Sequence, residues 1–236
     1  RLHWLHMRLL LLSLLVTCAS AVDNNWPQFR GPAASGVASG PAPVQWNGET
    51  GKNVQWKRAI AGLGHSSPVI WGERLSLTTA VSSIEDPELR LGLYGDIKPV
   101  EETGEQKFVV YCLDRKTGKT IWERTPLSRQ PQVKRHPKST HANPTVATDG
   151  KHVAAFFGSE GLYVYDLSGK LLWQIDFGLL DSGFFQVPSA QWGFASSPVI
   201  HEGKLIIQAD VQKNSFLAAF DVRTGKQLWR TVRNDV

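Results

Sequence analysis

Three segments of this sequence align on one another: Cys112 to Trp122, Tyr165 to Trp173, and Ala219 to Trp229. Each carries an Asp (Asp114, Asp166, Asp221), then a Gly-Lys pair led by Gly118, Gly169 or Gly225, and a Trp four residues beyond the Gly (Trp122, Trp173, Trp229). A second shared segment precedes each: Ser66-Ser67-Pro68-Val69-Ile70, Ala142-Asn143-Pro144-Thr145-Val146, and Ser196-Ser197-Pro198-Val199-Ile200. Turn-forming residues follow at Gly72-Glu73, Asp149-Gly150 and Glu202-Gly203. Successive Trp residues stand 51 and 56 positions apart, so the repeating unit is about fifty residues long. A unit that small cannot bury both of its faces alone and must stack on its neighbours.

The chemistry of one unit is legible. Phe108 to Leu113, Leu162 to Tyr165 and Phe216 to Phe220 are apolar, β-rich runs. The Asp carboxylate can accept amide N–H groups of the following turn, and the Gly supplies the positive φ that closes it. A return strand then ends in Trp, large enough to fill a gap between stacked sheets. One such turn would be an ordinary hairpin; three copies with matching upstream Ser-Pro segments are a repeat. The expected fold is all-β, a β-propeller of four-stranded antiparallel blades with about three to four blades present.

With these motifs in view, the sequence resembles the pyrroloquinoline quinone (PQQ)-like repeat family, whose tryptophan-docking motif runs Ala-x-Asp-x-x-Thr-Gly-x-x-x-Trp. Residues 219–229 match it fully; Cys112 replaces the Ala in the first copy, and the second is one residue shorter, with Ser168 at the Thr position. Trp26-Pro27-Gln28-Phe29-Arg30-Gly31-Pro32 is similar to the opening of secreted bacterial members, and Val54-Gln55-Trp56-Lys57 resembles an outer strand arriving without its blade. The resemblance implies a closed ring of eight blades, so residues 22–236 are expected to be a C-terminally truncated propeller. Quinoprotein dehydrogenases of this family bind PQQ and calcium on the ring axis, whereas outer-membrane assembly lipoproteins use the same blades as a scaffold for protein contacts.

Residues 1–21 read as an export signal: Met7-Arg8, an apolar run from Leu9 to Val16, and the small-residue pattern Ala19-Ser20-Ala21. The expected location is periplasmic or extracellular. Leu15-Val16-Thr17-Cys18 also resembles a lipoprotein signal, so membrane attachment would require lipidation of Cys18. Cleavage leaves Cys112 as the one thiol, expected to be buried and inert. The formal charge is +5, and removing Arg1 and Arg8 leaves +3, too weak a balance to imply nucleic acid.

No Cys-Cys pair and no calcium-ligand spacing stand out, so neither catalytic residues nor a cofactor are expected, PQQ with calcium being the alternative. The expected function is a non-catalytic, exported scaffold with a protein partner. A dehydrogenase completed by further blades is the alternative, and a carbohydrate-binding module using exposed Trp71, Trp192 or Tyr94 is the second. His65 and His141 each lie three residues before a repeat Pro, which nominates them for a metal or anion site at one end of the channel. Residues 80–106 read as an inserted surface loop, and Lys134-Arg135-His136-Pro137-Lys138 as a solvated basic connection between blades.

Overall fold

The computed structural model describes residues 25–84, 89, 98–100, 102–184 and 187–236. The export segment, Cys18, Tyr94 and most of the insertion after Ile84 lie outside the described residues. Strands β1 (Val69–Trp71), β2 (Arg74–Ser82), β3 (Gln106–Asp114) and β4 (Thr120–Arg129) form the first blade. The second comprises β5 (Ala147–Thr148), β6 (His152–Phe156), β7 (Leu162–Asp166) and β8 (Leu171–Ile175). A two-stranded excursion, β9 (Gly183–Phe184) with β10 (Val187–Gln191), precedes the third, made of β11 (Val199–His201), β12 (Lys204–Ala209), β13 (Phe216–Asp221) and β14 (Gln227–Val232). All three four-stranded sheets are antiparallel meanders hydrogen-bonded in chain order, as the repeat requires. The small hairpin has no counterpart in the repeat and was not legible in it.

Alternation along the strands decides which blade meets which. On β3, Phe108, Val110 and Cys112 pack against Val153, Ala155, Tyr163 and Tyr165 of the second blade. The intervening Val109, Tyr111 and Leu113 face Ile60, Leu75, Leu77 and Val81 on the other side. The second blade repeats this with Ala154, Phe156, Leu162 and Val164 against Leu205, Ile207, Phe216 and Ala218 of the third. Both faces of these strands are therefore buried, which explains why they read as apolar runs rather than as an apolar-polar alternation.

The tryptophans join the blades at their outer edge. Trp122 Nε1–H donates to the Leu167 carbonyl (3.0 Å), and Trp173 Nε1–H to that of Val222 (2.8 Å). Each indole lies flat on the Gly of the next blade's turn: a Cβ on Gly169 would sit 2.7 Å from the Trp122 ring, and one on Gly225 2.8 Å from that of Trp173. Those glycines also hold φ of +81° and +72°, so both the turn and the approach of the indole exclude a side chain. The preceding Asp closes the turn. Asp114 Oδ1, for example, accepts the Thr117 amide and hydroxyl, both at 2.7 Å, and these bonds hold its carboxyl below the usual range.

Trp56 makes the same contact on the first blade, donating to the Arg115 carbonyl (2.8 Å) and covering Gly118. The arriving segment at 54–57 thus carries the docking residue, but it forms no strand. Two partners went unnoticed in the sequence: Arg58 donates to the Gly118 carbonyl (2.8 Å) and Arg124 to that of Gly169 (2.7 Å). An Arg two positions after the Trp was the available signal. Trp229 differs from the others, being 39% exposed on a β14 that is exposed along its whole length.

The docking contact predicts unequal costs. Trp122→Ala should destabilise the chain by about 3–5 kcal/mol, because it opens a cavity under a ring that is 5% exposed. Trp46→Ala should cost about 0.5 kcal/mol or less, as that residue is 70% exposed. Urea midpoints of the two variants check this; equal losses would contradict docking as the source of the energy.

Candidate functional site

In an antiparallel meander, the entry of the first strand, the hairpin between the second and third, and the exit of the fourth share one end of the blade. Here that end gathers the β4–β5 connection, the last residues of the insertion before β3, the turn at 157–161 and the segment following β10. The Ser-Pro repeats run side by side along it. Ser67 N–H donates to Thr145 Oγ1 (3.1 Å), Thr145 N–H to Ser197 Oγ (2.9 Å), and the His65 and Ser66 amides both reach the Ala142 carbonyl (3.1 Å).

The two nominated histidines occupy equivalent places on adjacent blades but meet different surroundings. His65 is exposed. His141, with a side chain only 6% exposed, sits 2.5 Å from Glu102 Oε2, edge-on to Phe108. Among the described residues there is no group of three or more His, Cys, Asp or Glu able to hold a metal ion. Cys112 is fully buried, and burial raises its thiol pKa despite a hydrogen bond with Ser76. Trp71 packs against Gly150 in the next blade's turn, whereas Trp192 is 45% exposed.

Glu102 is the residue that sequence reasoning missed. It stands in an acidic stretch read as a surface loop, yet its side chain is only 15% exposed. One oxygen takes His141 and the other the Arg135 guanidinium, whose Nε lies 2.8 Å away. Arg135 donates again to the Ser139 carbonyl (3.0 Å) and is itself 2% exposed. The Val100 amide donates to the Arg135 carbonyl (2.8 Å), so the end of the insertion is fastened to the β4–β5 connection. Burial pushes the Glu102 carboxyl up, but His141 and then Arg135 outweigh it and hold the pKa below the ordinary value.

Beside this triad, Glu160 is buried in the turn at 157–161. Its Oε1 accepts the Gln132 amide (2.7 Å), and Arg129 Nε lies 3.4 Å from Oε2. Burial here prevails and raises the carboxyl pKa. The basic connection is accordingly corrected: Arg135, His136 and Pro137 are buried, and only Lys134 and Lys138 of the cluster are exposed. Its charge is turned inward because a partner carboxylate arrives from the insertion, about thirty residues away in the chain.

A carboxylate whose folded pKa is depressed contributes stability above its unfolded pKa and loses it as pH falls through the folded value. Glu102→Ala should therefore cost about 3 kcal/mol at neutral pH by stranding buried Arg135, and should flatten the part of the acid-induced loss that Glu102 supplies. Denaturant midpoints measured from neutral pH down through the carboxylate range check both; an unchanged acid profile would exclude Glu102 as a contributor.

The family model described as outer membrane protein assembly factor BamB matches residues 106–236, slightly more than half of the chain. No curated protein sequence matches it significantly. Among solved structures, quinohemoprotein alcohol dehydrogenase ADHIIG from Pseudomonas putida HK5 shares the fold at TM-score 0.53 and 17% identity, over 89% of this chain and 27% of that one. The quinohemoprotein alcohol dehydrogenase of Comamonas testosteroni matches 91% of this chain and 28% of its own at 17% identity and TM-score 0.49. BamB from Moraxella catarrhalis matches 56% of this chain and 34% of its own at 15% identity and TM-score 0.33. This chain thus spans about a quarter to a third of the length of these structures. It belongs to the PQQ-like repeat family represented by the outer membrane protein assembly factor BamB, and its three sheets are propeller blades.

Proposed function

We propose that this chain is an exported, non-catalytic propeller scaffold that holds protein partners during outer membrane protein assembly. The observation that carries the reading is how the charged groups at the connection end are used. Glu102 binds His141 and Arg135, and Glu160 binds Gln132 and lies beside Arg129, so these groups tie connections together and make a stiff platform. Rigid connections on a repeat scaffold suit recognition, in which ordering cost is met before the partner arrives. The family match supports the same reading. A carbohydrate-binding reading draws on exposed Trp192, since an open indole face can also stack on a sugar ring.

Deletion of the gene should lower the amount of folded outer membrane proteins, and a plasmid copy carrying Cys112→Ala should restore it. Fractionation of the tagged chain should find it outside the cytoplasm. Undiminished assembly in the deletion strain, or cytoplasmic retention, would reject the scaffold. Calcium-dependent binding of PQQ accompanied by dye-linked alcohol oxidation would establish the dehydrogenase instead.

A further inference from the structure

The connection end turns charge inward through Glu102 and Arg135, and its exposed indole, Trp192, stacks on the His136 ring with centroids 4.5 Å apart. The outer rim at the turn end does the reverse. Each docking glycine is followed by a lysine, Lys119, Lys170 or Lys226, and all three are exposed. Trp56, Trp122 and Trp173 lie on Gly118, Gly169 and Gly225 in the same way, so the three lysines occupy equivalent places on successive blades. Among the described residues their ammonium groups have no hydrogen-bond or ion-pair partner, whereas Lys116 of the first turn is paired with Glu73 (3.1 Å). The turn carboxylates are engaged elsewhere, since Asp114, Asp166 and Asp221 each give Oδ1 to backbone amides of their own turn. Two guanidinium groups add positive charge at the same joints, Arg58 on the Gly118 carbonyl and Arg124 on that of Gly169.

A second feature recurs beside each lysine: the outer strand is bulged at the same place in all three blades. Cys112 pairs with Trp122 but Leu113 with Thr120, Val164 with Trp173 but Tyr165 with Leu171, and Ala219 with Trp229 but Phe220 with Gln227. The residue left over is Ile121, Leu172 or Leu228, two positions after the lysine, and these are 39–47% exposed. An extra residue sharpens the twist of the strand, but that twist asks nothing of the side chain it carries. The docking contact therefore does not account for an aliphatic residue at all three copies of an exposed position. The position after the Trp holds Glu123, Gln174 and Arg230, and shares no chemistry.

We propose that this rim, Lys119 with Ile121, Lys170 with Leu172 and Lys226 with Leu228, is a docking surface for an anionic membrane leaflet. Phospholipid phosphates diffuse to meet ammonium groups that stand one blade apart, whereas a rigid partner has to match their spacing. Lysine suits this role, because its flexible point charge needs no planar partner. On contact the aliphatic side chains enter the boundary between headgroups and acyl chains, so apolar burial adds to charge attraction. The surface requires no lipid anchor. It goes beyond the scaffold reading and leaves the deletion test of that reading untouched.

Flotation of the full chain with lipid vesicles tests the rim. The readout is the gain in binding when phosphatidylglycerol is added to phosphatidylcholine vesicles, because the apolar run at 9–16 can bind either kind. That gain should shrink with added salt and fall roughly a hundredfold in a Lys119→Gln, Lys170→Gln, Lys226→Gln variant. Lys107→Gln with Lys213→Gln, exposed lysines at the connection end, should cost far less per charge. Ile121→Ser, Leu172→Ser and Leu228→Ser together should weaken binding about severalfold with the lysines intact. Because every one of these positions is exposed, urea midpoints should stay near that of the parent chain. No gain with phosphatidylglycerol, an equal loss per charge from the connection-end pair, or tighter binding to polyglutamate than to the vesicles would overturn the membrane assignment. So would undiminished vesicle binding by a lysine variant that self-associates, which assigns the lysines to keeping exposed strand edges apart. If the rim fails while the deletion strain still assembles outer membrane proteins poorly, the scaffold reading survives without it.

Discussion

Everything in this molecule hangs on an indole lying flat on a glycine. A single blade leaves both faces of its central strands apolar, and the hydrophobic gain from covering them is realised only when a second blade stacks at the right height and angle. The Trp-on-Gly contact sets that relation at the outer edge. Its N–H reaches a carbonyl in the neighbour's turn, and its ring occupies the space a Cβ would take. Near the inner edge, the Ser67–Thr145–Ser197 hydrogen bonds keep the first strands in step. Between these two seams the side chains of one blade interdigitate with those of the next.

The two ends of the blades consequently serve different purposes. At the turn end, Asp, Gly and Trp are constrained by each other, and little variation is possible without loosening a joint. At the connection end the stacking fixes only the entries of the first strands, so the other segments there are free to lengthen. The insertion before β3 and the β9–β10 hairpin both emerge at this end. What holds the described parts of them is polar: Glu102 draws the end of the insertion onto Arg135 and His141, and Asn143 Nδ2 donates to the Phe194 carbonyl in the segment after the hairpin. This division between a stiff frame and a variable surface lets one family include assembly factors while sharing its blade architecture with dehydrogenases, so the fold by itself names neither activity.

Burial explains the contrast between the two acidic residues at this end. Glu102 meets an imidazole and a guanidinium and is held ionised; Glu160 has an amide and a more distant Arg129, and burial pushes its pKa upward. Both stabilise connections, but they respond to acid in opposite directions. Loss of the Glu102 charge on acidification releases its two partners, whereas protonation of Glu160 relieves a desolvation cost.

The sequence by itself determined the blade: which runs are strands, where each turn closes, which glycine cannot be replaced and which tryptophans join neighbours. These are legible because they recur at fixed spacing and each answers to local chemistry, a carboxylate capping its own turn or a glycine at positive φ. It also marked residues 54–57 as an arriving outer strand; that strand did not form, and only the structure showed Trp56 docking on Gly118. Only the tertiary structure decided the fate of the irregular segments. Glu102 and Arg135 are 33 positions apart, and the buried side of an apparently solvated basic stretch depends on that meeting. Trp192 and His136 are farther apart still, and no periodicity links them. Local rules reach across a turn or a repeat; a single ion pair or ring stack formed by chain folding leaves no such trace.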